Sequence, residues 1–471
     1  MRVVDADVII VGAGPAGLML AAELRLAGVR PLVLERQAQL GETPNANGLG
    51  GQILQLLHYR GLLGRFTAAA TDPSPTPIYP FGGVHLDLTQ LADPPLKGMQ
   101  LQHPSVDRLL DERAGELGAD IRRGHEVADV SQDDATVTAD VRGPDGPYRV
   151  TARYLVGCDG AYSRIRDMTG IPFPGTTYPE VNRLAELTVP DSVTLLANGD
   201  LDVPGLGRLE AGFTRTDRGV FAFGSLTPEV LMLNTIEDET TEYDDAPMTL
   251  TELQDSIRRV LGADLPLGEA RRLSRYQHHA RQADRYRDGR ILLAGDAAHV
   301  LPATGAARNV GMLDSAADAL REVFQELLLD EQPQRRLAAL IAGTDIRYPL
   351  PGPDHHPLAG TFAPDLTLHT DQDTTTVAEL MHTARPILLD LADSPELRES
   401  ARDWGQRIDV HIAETDHRPA DALLIRPDAH VAWAATIDEP TDTAALALRE
   451  ALSDWFGTPL KTTVPLIDQP S

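Results

Sequence analysis

The residues most suited to chemistry lie near the start of the chain. Gly12-Ala13-Gly14-Pro15-Ala16-Gly17 stands directly behind the apolar run Val8-Ile9-Ile10-Val11, and Glu35 ends a second apolar run, Pro31-Leu32-Val33-Leu34. This spacing suits the holding of a dinucleotide. Gly12 permits a tight turn, Gly14 lets the backbone approach a pyrophosphate, and Gly17 lets the next helix pack close to the strand. A helix from Ala16 to Ala27 would present N–H groups and a positive dipole end to the phosphates. The Glu35 carboxylate can hold both hydroxyls of an adenosine ribose. An acid there disfavours a 2′-phosphate, so NAD or FAD fits better than NADP. A bare glycine turn is weak evidence, but strand, turn, helix and acid in this order are strong evidence.

At 471 residues the chain exceeds one ordinary core, so two or three domains are expected. No stretch approaches the ~20 apolar residues of a membrane span. The start of the chain leads directly into a strand without a basic region, which predicts no secretory leader and a cytoplasmic location. Cys158 is the sole cysteine, so an internal disulfide and a cysteine metal cluster are excluded. Its flank Tyr154-Leu155-Val156-Gly157 predicts a buried structural thiol. The net charge of −28 argues against nucleic acid or anionic membrane as partner. His278-His279 and His355-His356 are adjacent pairs whose members face opposite ways on a strand, so no metal site is expected.

The pattern divides the chain. The first strand–turn–helix is followed by a long helical segment from Leu54 to Phe66 and a helix near Val106–Leu117. Strand-like alternation comes next, as at Thr136–Val141. Residues beyond about 175 lose the βαβ rhythm. Leu209–Phe213 and Val220–Gly224 read as strands, with a helix Leu250–Leu261 beside them. Phe81-Gly82-Gly83, Phe213, Phe221 and Phe223 suit an apolar substrate wall or core packing equally. Arg281-Gln282-Ala283 and Tyr286 read by default as exposed helix residues, with a place lining the domain junction as the alternative. A buried strand returns at Arg290–Leu293. A short helical stretch, Leu313–Leu329, then leads to a proline-rich linker at Tyr348–Pro353. Strands near Ile387–Leu391, Ile408–Ile412 and Ala422–Ile425 alternate with helices in a small third α/β domain.

Two more buried strands end in Gly and Asp. Leu155-Val156-Gly157-Cys158-Asp159-Gly160 is followed by Ser163 and Arg166, and Ala294-Gly295-Asp296-Ala297-Ala298-His299 forms the third such end. Strand C-termini of this kind converge on one crevice in open α/β sheets. On these residues, with Gly12–Gly17 and Glu35-Arg36, the chain resembles the class A flavoprotein aromatic hydroxylases of the para-hydroxybenzoate hydroxylase-like fold. It resembles more closely the FAD-dependent monooxygenases of bacterial aromatic polyketide pathways, above all the angucycline type. The stretch from His356-Pro357-Leu358-Ala359-Gly360 onward resembles the thioredoxin-like domain of the larger members. It lacks Cys-x-x-Cys, which excludes thiol redox chemistry there.

The resemblance implies an α/β fold with three parts. These are a Rossmann-like FAD-binding domain at 1–175 and 286–348, an inserted α+β substrate-binding domain at 176–285, and a thioredoxin-like domain at 354–471. It places Gly12, Gly14, Pro15, Ala16 and Gly17 at the FAD pyrophosphate, with Glu35 and Arg36 at the ribose. Gln102 takes the position of a flavin-contacting Gln, displaced by one residue, with His103 as its stand-in. Asp159 and Gly160 belong near the cofactor at the domain junction, Gly295 and Asp296 on its ribityl or pyrophosphate side, and Pro302 and Asn309 beside the flavin ring. No catalytic residue is assigned, and His299 is read as structural. NADPH would reduce the flavin. A C4a-hydroperoxide formed with O2 would then hydroxylate an electron-rich ring of a polycyclic aromatic polyketide. The resemblance allows a homodimer.

The chain also departs from the family. Where a Gly-Gly-x-Gly-x-Asn loop is usual, it reads Thr304-Gly305-Ala306-Ala307-Arg308-Asn309, a shorter loop with glycines replaced. After Asp314, on the order of forty residues of helix and arm are missing, more than an ordinary loop deletion. Asn45–Gln52 stands where many relatives carry Arg, although polyketide members often read Gly-Gln as here. These departures give the alternative expectation of a homologue with impaired or absent FAD binding. Such a protein would do non-redox chemistry (dehydration, ring opening or hydrolysis) on a related polyketide, or act as an accessory protein.

Overall fold

The structure, a computed structural model, describes residues 4–41, 48–81, 84–196, 199–227, 229–238, 246–301, 318–350, 356–370 and 373–459. The opening apolar run forms strand β1 (Val8–Val11), helix α1 spans Pro15–Leu26, and strand β2 is Pro31–Glu35. They lie in a six-stranded sheet ordered Arg287–Asp288, Ile291–Leu293, Tyr154–Gly157, β1, β2, Asp120–Arg123. Every pairing is parallel except that between Arg287–Asp288 and Ile291–Leu293. Ile9, Val11, Leu32 and Leu34 pack on one side, and Val8, Ile10 and Val33 on the other. Burial of both faces explains why these strands read as unbroken apolar runs rather than alternating ones.

The expected helix at Leu54–Phe66 is two helices, α2 (Gln52–Tyr59) and α3 (Leu63–Ala69). Gly61 lies between them with φ near +66°, a conformation no helix residue adopts. Helix α4 starts earlier than expected and spans His103–Glu116. Helix α5, Arg164–Met168, follows the Asp159-Gly160 turn.

The second sheet is antiparallel and ordered Gly212–Thr216, Gly219–Thr227, Val230–Glu237, Gly175–Thr188, Ala270–Gln282, His299–Val300. Its last strand comes from beyond residue 286, where the sequence placed the return to the first domain. The Gly295-Asp296 segment therefore bridges the two sheets, since Ile291–Leu293 belongs to one and His299–Val300 to the other. Arg281 and Gln282 are not helical as the default reading had them but end the strand Ala270–Gln282, paired with Val300 and His299, and Ala283 donates to the Ala298 carbonyl at 2.8 Å, so 281–283 lie at that junction. The expected strand Leu209–Phe213 is two, Gly207–Leu209 and Gly212–Thr216, in different sheets. Helix α6 spans Leu250–Leu261 as expected. Thr249 caps its start through the Glu252 N–H, and Gly262 ends it in the left-handed conformation. Its Leu253, Ile257 and Val260 pack on Phe221, Phe223, Leu231 and Leu233. Phe221 and Phe223 are thus core residues and not a substrate wall. Gly82 and Gly83 lie outside the described residues, as does the side chain of Phe81.

The expected short stretch Leu313–Leu329 corresponds to α7 (Asp318–Leu327), and a further helix, α8 (Glu331–Ala342), was not expected. The Pro at its third position sits in the first turn, where a missing N–H breaks no hydrogen bond. The third domain has a four-stranded sheet ordered Asp409–Ile412, Ile387–Asp390, Ala422–Ile425, Val431–Ala435. Its first pairing is parallel and the others antiparallel. Helices Pro395–Ala401 and Thr441–Phe456 pack on it through Leu397, Leu448 and Leu452. This is the thioredoxin-like arrangement, including a fourth strand the sequence reading had not separated. Among the described residues, no helix is long and apolar enough to cross a membrane.

Candidate functional site

Chain reversal after β1 builds the site. Gly12 adopts φ +105°, and a Cβ placed there would lie 2.4 Å from the Cys158 carbonyl oxygen. A Cβ on Gly17 would lie 2.0 Å from the Gly12 carbonyl oxygen. Neither position tolerates a side chain, because helix, turn and neighbouring strand touch backbone to backbone. Gly14 differs: a Cβ there meets nothing within 4 Å. It is the N-cap of α1 and no side chain caps that helix. The first turn therefore presents its backbone donors toward open space.

That space is a cleft of about 390 Å³. Gly12, Gly14, Glu35, Arg36, Asp159 and Gly160, all expected site residues, line it. Glu35 accepts from the N–H groups of Ala13 and Gln37, each at 2.8 Å. Asp159 accepts from the Ser163 hydroxyl at 2.5 Å and from the N–H groups of Arg164 and Ile165, at 2.8 and 3.1 Å. It holds the start of α5 as well as bordering the cleft. Pro15, Ala16 and Gly17 form the turn of α1 behind the cleft wall. Gly295 packs against them, since a Cβ on it would lie 2.9 Å from that of Ala16. Asp296 is exposed in a single 3-10 turn, Gly295–Ala297. Pro302 and Asn309, with the rest of the Thr304–Asn309 loop, lie outside the described residues.

Gln102 is exposed at the N-cap position of α4 without a side-chain capping hydrogen bond, whereas His103 lines the cleft. His103 Nδ1 is 3.4 Å from Asp107 Oδ2, one helical turn on. Asp107 also lines the cleft, and its Oδ1 is buried without a hydrogen-bond partner. Burial pushes its carboxyl above the ordinary carboxylate range, with His103 and Arg123 opposing the shift. Sequence reasoning missed Asp107; the i, i+4 spacing from His103 was the available signal. It also missed Arg123, which is brought to the cleft by its register partnership with Glu35 across β2.

Arg166 ties the two later Gly/Asp turns together. It is buried, donates to the carbonyls of Ala297 and Ala161 at 3.0 Å each, and lies 3.7 Å over the Phe173 ring. Cys158 is buried, and its thiol is pushed up to about 12 by burial and by Asp159.

The FAD binding domain family matches residues 5–338, and the aromatic-ring hydroxylase C-terminal family matches 356–459. The chain is 36% identical to a 12-dehydrotetracycline 5-monooxygenase/anhydrotetracycline 6-monooxygenase of Streptomyces rimosus, over 96% of this chain and 99% of that one. That alignment spans 513 positions against 471 residues here, so the relative holds segments this chain lacks. A dialkyldecalin synthase of Streptomyces rugosporus is 32% identical over 96% of this chain and 98% of that one. The crystal structure of CabE, an aromatic hydroxylase from angucycline biosynthesis, superposes with a TM-score of 0.82 at 31% identity, covering 97% of this chain and 100% of that one. With a Rossmann-like cradle, an inserted antiparallel sheet and a thioredoxin-like third domain, the chain belongs to the FAD-binding aromatic-ring hydroxylases, the class A flavin monooxygenases.

Proposed function

We propose that this chain hydroxylates a polycyclic aromatic polyketide as an FAD-dependent monooxygenase, with NADPH as the reductant. One observation carries the reading: Gly14 faces an open cleft while Gly12 and Gly17 are pressed against backbone. That is the arrangement a dinucleotide requires, and the donor set fits it. The backbone N–H groups opening α1 would hold the pyrophosphate, and the dipole there favours its charge. Glu35, already fastened by two N–H groups, would receive the ribose hydroxyls, with Arg36 and Arg123 beside it. His103 and Asp107 would border the cofactor from α4. Arg166 keeps the turns at Ala161 and Ala297 in fixed relation, so the crevice keeps its shape. When bound, the flavin supplies activation of O2 and delivery of one oxygen atom. The cleft residues would orient it and keep water from the reacting centre.

The test is a visible spectrum of the purified protein, followed by NADPH oxidation with and without an aromatic polyketide such as anhydrotetracycline or an angucyclinone. The expected results are flavin bands, NADPH consumption stimulated by the polyketide, and a product heavier by one oxygen atom. A colourless protein that ignores added FAD would end this reading.

A second reading has one observation in its favour. The relative named dialkyldecalin synthase shares the whole length of this scaffold, and its name describes no oxygenation. In that case the polyketide would be converted without NADPH consumption and without gain of oxygen.

A further inference from the structure

The second sheet has two faces. One carries Ala185, Phe221, Phe223, Leu231 and Leu233 and is packed by α6. The opposite face carries a polar cluster that neither the cofactor cleft nor α6 accounts for. Asn182 and Tyr276 are direct partners across adjacent strands. Asn234, on the strand at the other side of Asn182, donates from Nδ2 to the Tyr276 hydroxyl at 3.3 Å. Tyr276 and His278 stack edge to face, with ring centroids 5.5 Å apart. Tyr276 thus stands in register with Asn182, bonds Asn234 and stacks on His278, and the four residues share one face across three strands.

The patch is short of partners. Asn182 is fully buried, yet neither its Oδ1 nor its Nδ2 makes a hydrogen bond. His278 is 3% exposed, and neither ring nitrogen has a partner. Asn234 Oδ1 is also buried and unpaired. Buried polar groups are nearly always satisfied, so unpaired atoms gathered on one face call for an explanation. Two carboxamides, a phenol and an imidazole combine donors and acceptors at close spacing, and none carries a fixed charge. A charged ligand group would therefore have no counter-ion here. A neutral flat molecule with a hydroxyl beside a carbonyl would satisfy them, because a carboxamide oxygen accepts from the hydroxyl while its nitrogen donates to the carbonyl.

We propose that Asn182, Asn234, Tyr276 and His278 form the wall that recognises the substrate, reading the hydroxy-ketone edge of a planar polycyclic ring system. This rests on the reading under Proposed function and adds its specificity-determining residues. Burial of the desolvated groups provides the discrimination, because a ring system without the hydroxyl or the carbonyl leaves them unpaired.

The test uses the full chain loaded with FAD and two probes, a peri-dihydroxyanthraquinone and the parent anthraquinone. Affinity is read from perturbation of the flavin and ligand absorbance. The wild type is expected to prefer the hydroxylated probe. Asn182→Leu and His278→Phe are each expected to weaken its binding by about tenfold, the loss of roughly one hydrogen bond, while binding of anthraquinone changes less than twofold. Thermal unfolding and the flavin spectrum separate recognition from a structural role. Purely structural orphans predict that the apolar variants gain thermal stability and bind both probes as the wild type does, which overturns the wall. Equal wild-type affinity for the two probes also overturns it, with the cofactor reading left standing. Failure to take up FAD defeats the cofactor reading itself and the wall with it.

Discussion

Glu35 accepts the backbone N–H of Ala13 at 2.8 Å, so the acid ending β2 is fastened to the loop that opens α1. The acid and the phosphate cradle are one unit, and a change at Glu35 should reach the loop as well as the ribose. Glu35→Ala is expected to weaken FAD binding by about tenfold to a hundredfold, the range of a lost hydrogen bond to a charged group. Quenching of flavin fluorescence on titration measures it. Unchanged affinity would remove Glu35 from the site.

The glycines of the loop should behave differently from one another. Gly17→Ala drives a methyl to 2.0 Å from the Gly12 oxygen, and the cost should be roughly 3 kcal/mol or more. Gly14→Ala meets no atom of the protein. It should melt within a degree or two of wild type, a shift of under about 0.5 kcal/mol, and bind FAD much more weakly. Calorimetry and cofactor titration on the two variants check this opposition.

Arg60 is a second point of leverage, far from the cleft. Its buried guanidinium binds both Glu23 oxygens at 2.7 and 2.8 Å, and it also donates to the carbonyls of Met381 and Pro427. Neighbouring His58 and Tyr59 contact Asp365 and the Ala363 carbonyl. One turn of α2 thus holds the third domain to α1. Arg60→Met should destabilise the chain by about 2–3 kcal/mol, because the Met381 and Pro427 carbonyls lose their charged donor while the partly exposed Glu23 can turn to solvent. Thermal unfolding should show it, and limited proteolysis should release the third domain. An unaltered melting curve would show that the clasp is dispensable.

Acidification should weaken the fold through His278. Burial lowers this imidazole from 6.5 to about 4, with His279 adding to the effect. In the unfolded chain it takes up a proton near pH 6.5, whereas in the folded chain it resists until about 4. Its contribution is therefore complete above pH 6.5 and declines as pH falls toward 4, by up to about 3 kcal/mol. Melting curves between pH 7 and roughly pH 4.5 should fall less steeply for His278→Phe than for wild type.

Cys158 should be inert. With its thiol pushed up to about 12, native protein at mildly alkaline pH should resist alkylation, and unfolding should restore labelling. Rapid labelling of the folded chain, read by intact mass, would contradict its burial.

What the sequence determined by itself was short-range. Gly12, Gly14, Gly17 and Glu35 are legible because strand, turn and helix follow one another without a break, and their steric demands concern neighbours. Helix α6 was legible for the same reason, since Leu250–Leu261 is one local run, which the structure shows bounded by Thr249 and Gly262. What only the tertiary structure decided depends on packing between distant segments. Register across β2 brings Arg123 beside Glu35, and the rotation of α4 turns His103, and not Gln102, into the cleft. His299–Val300 joins a sheet that began at Gly175. Arg60 finds carbonyls more than three hundred residues away. The polar wall arises only when three strands align Asn182, Asn234 and Tyr276 side by side. Periodicity can say that a residue points to one face of a strand, but not which strand lies next to it, because strand order is set by burial across the whole sheet.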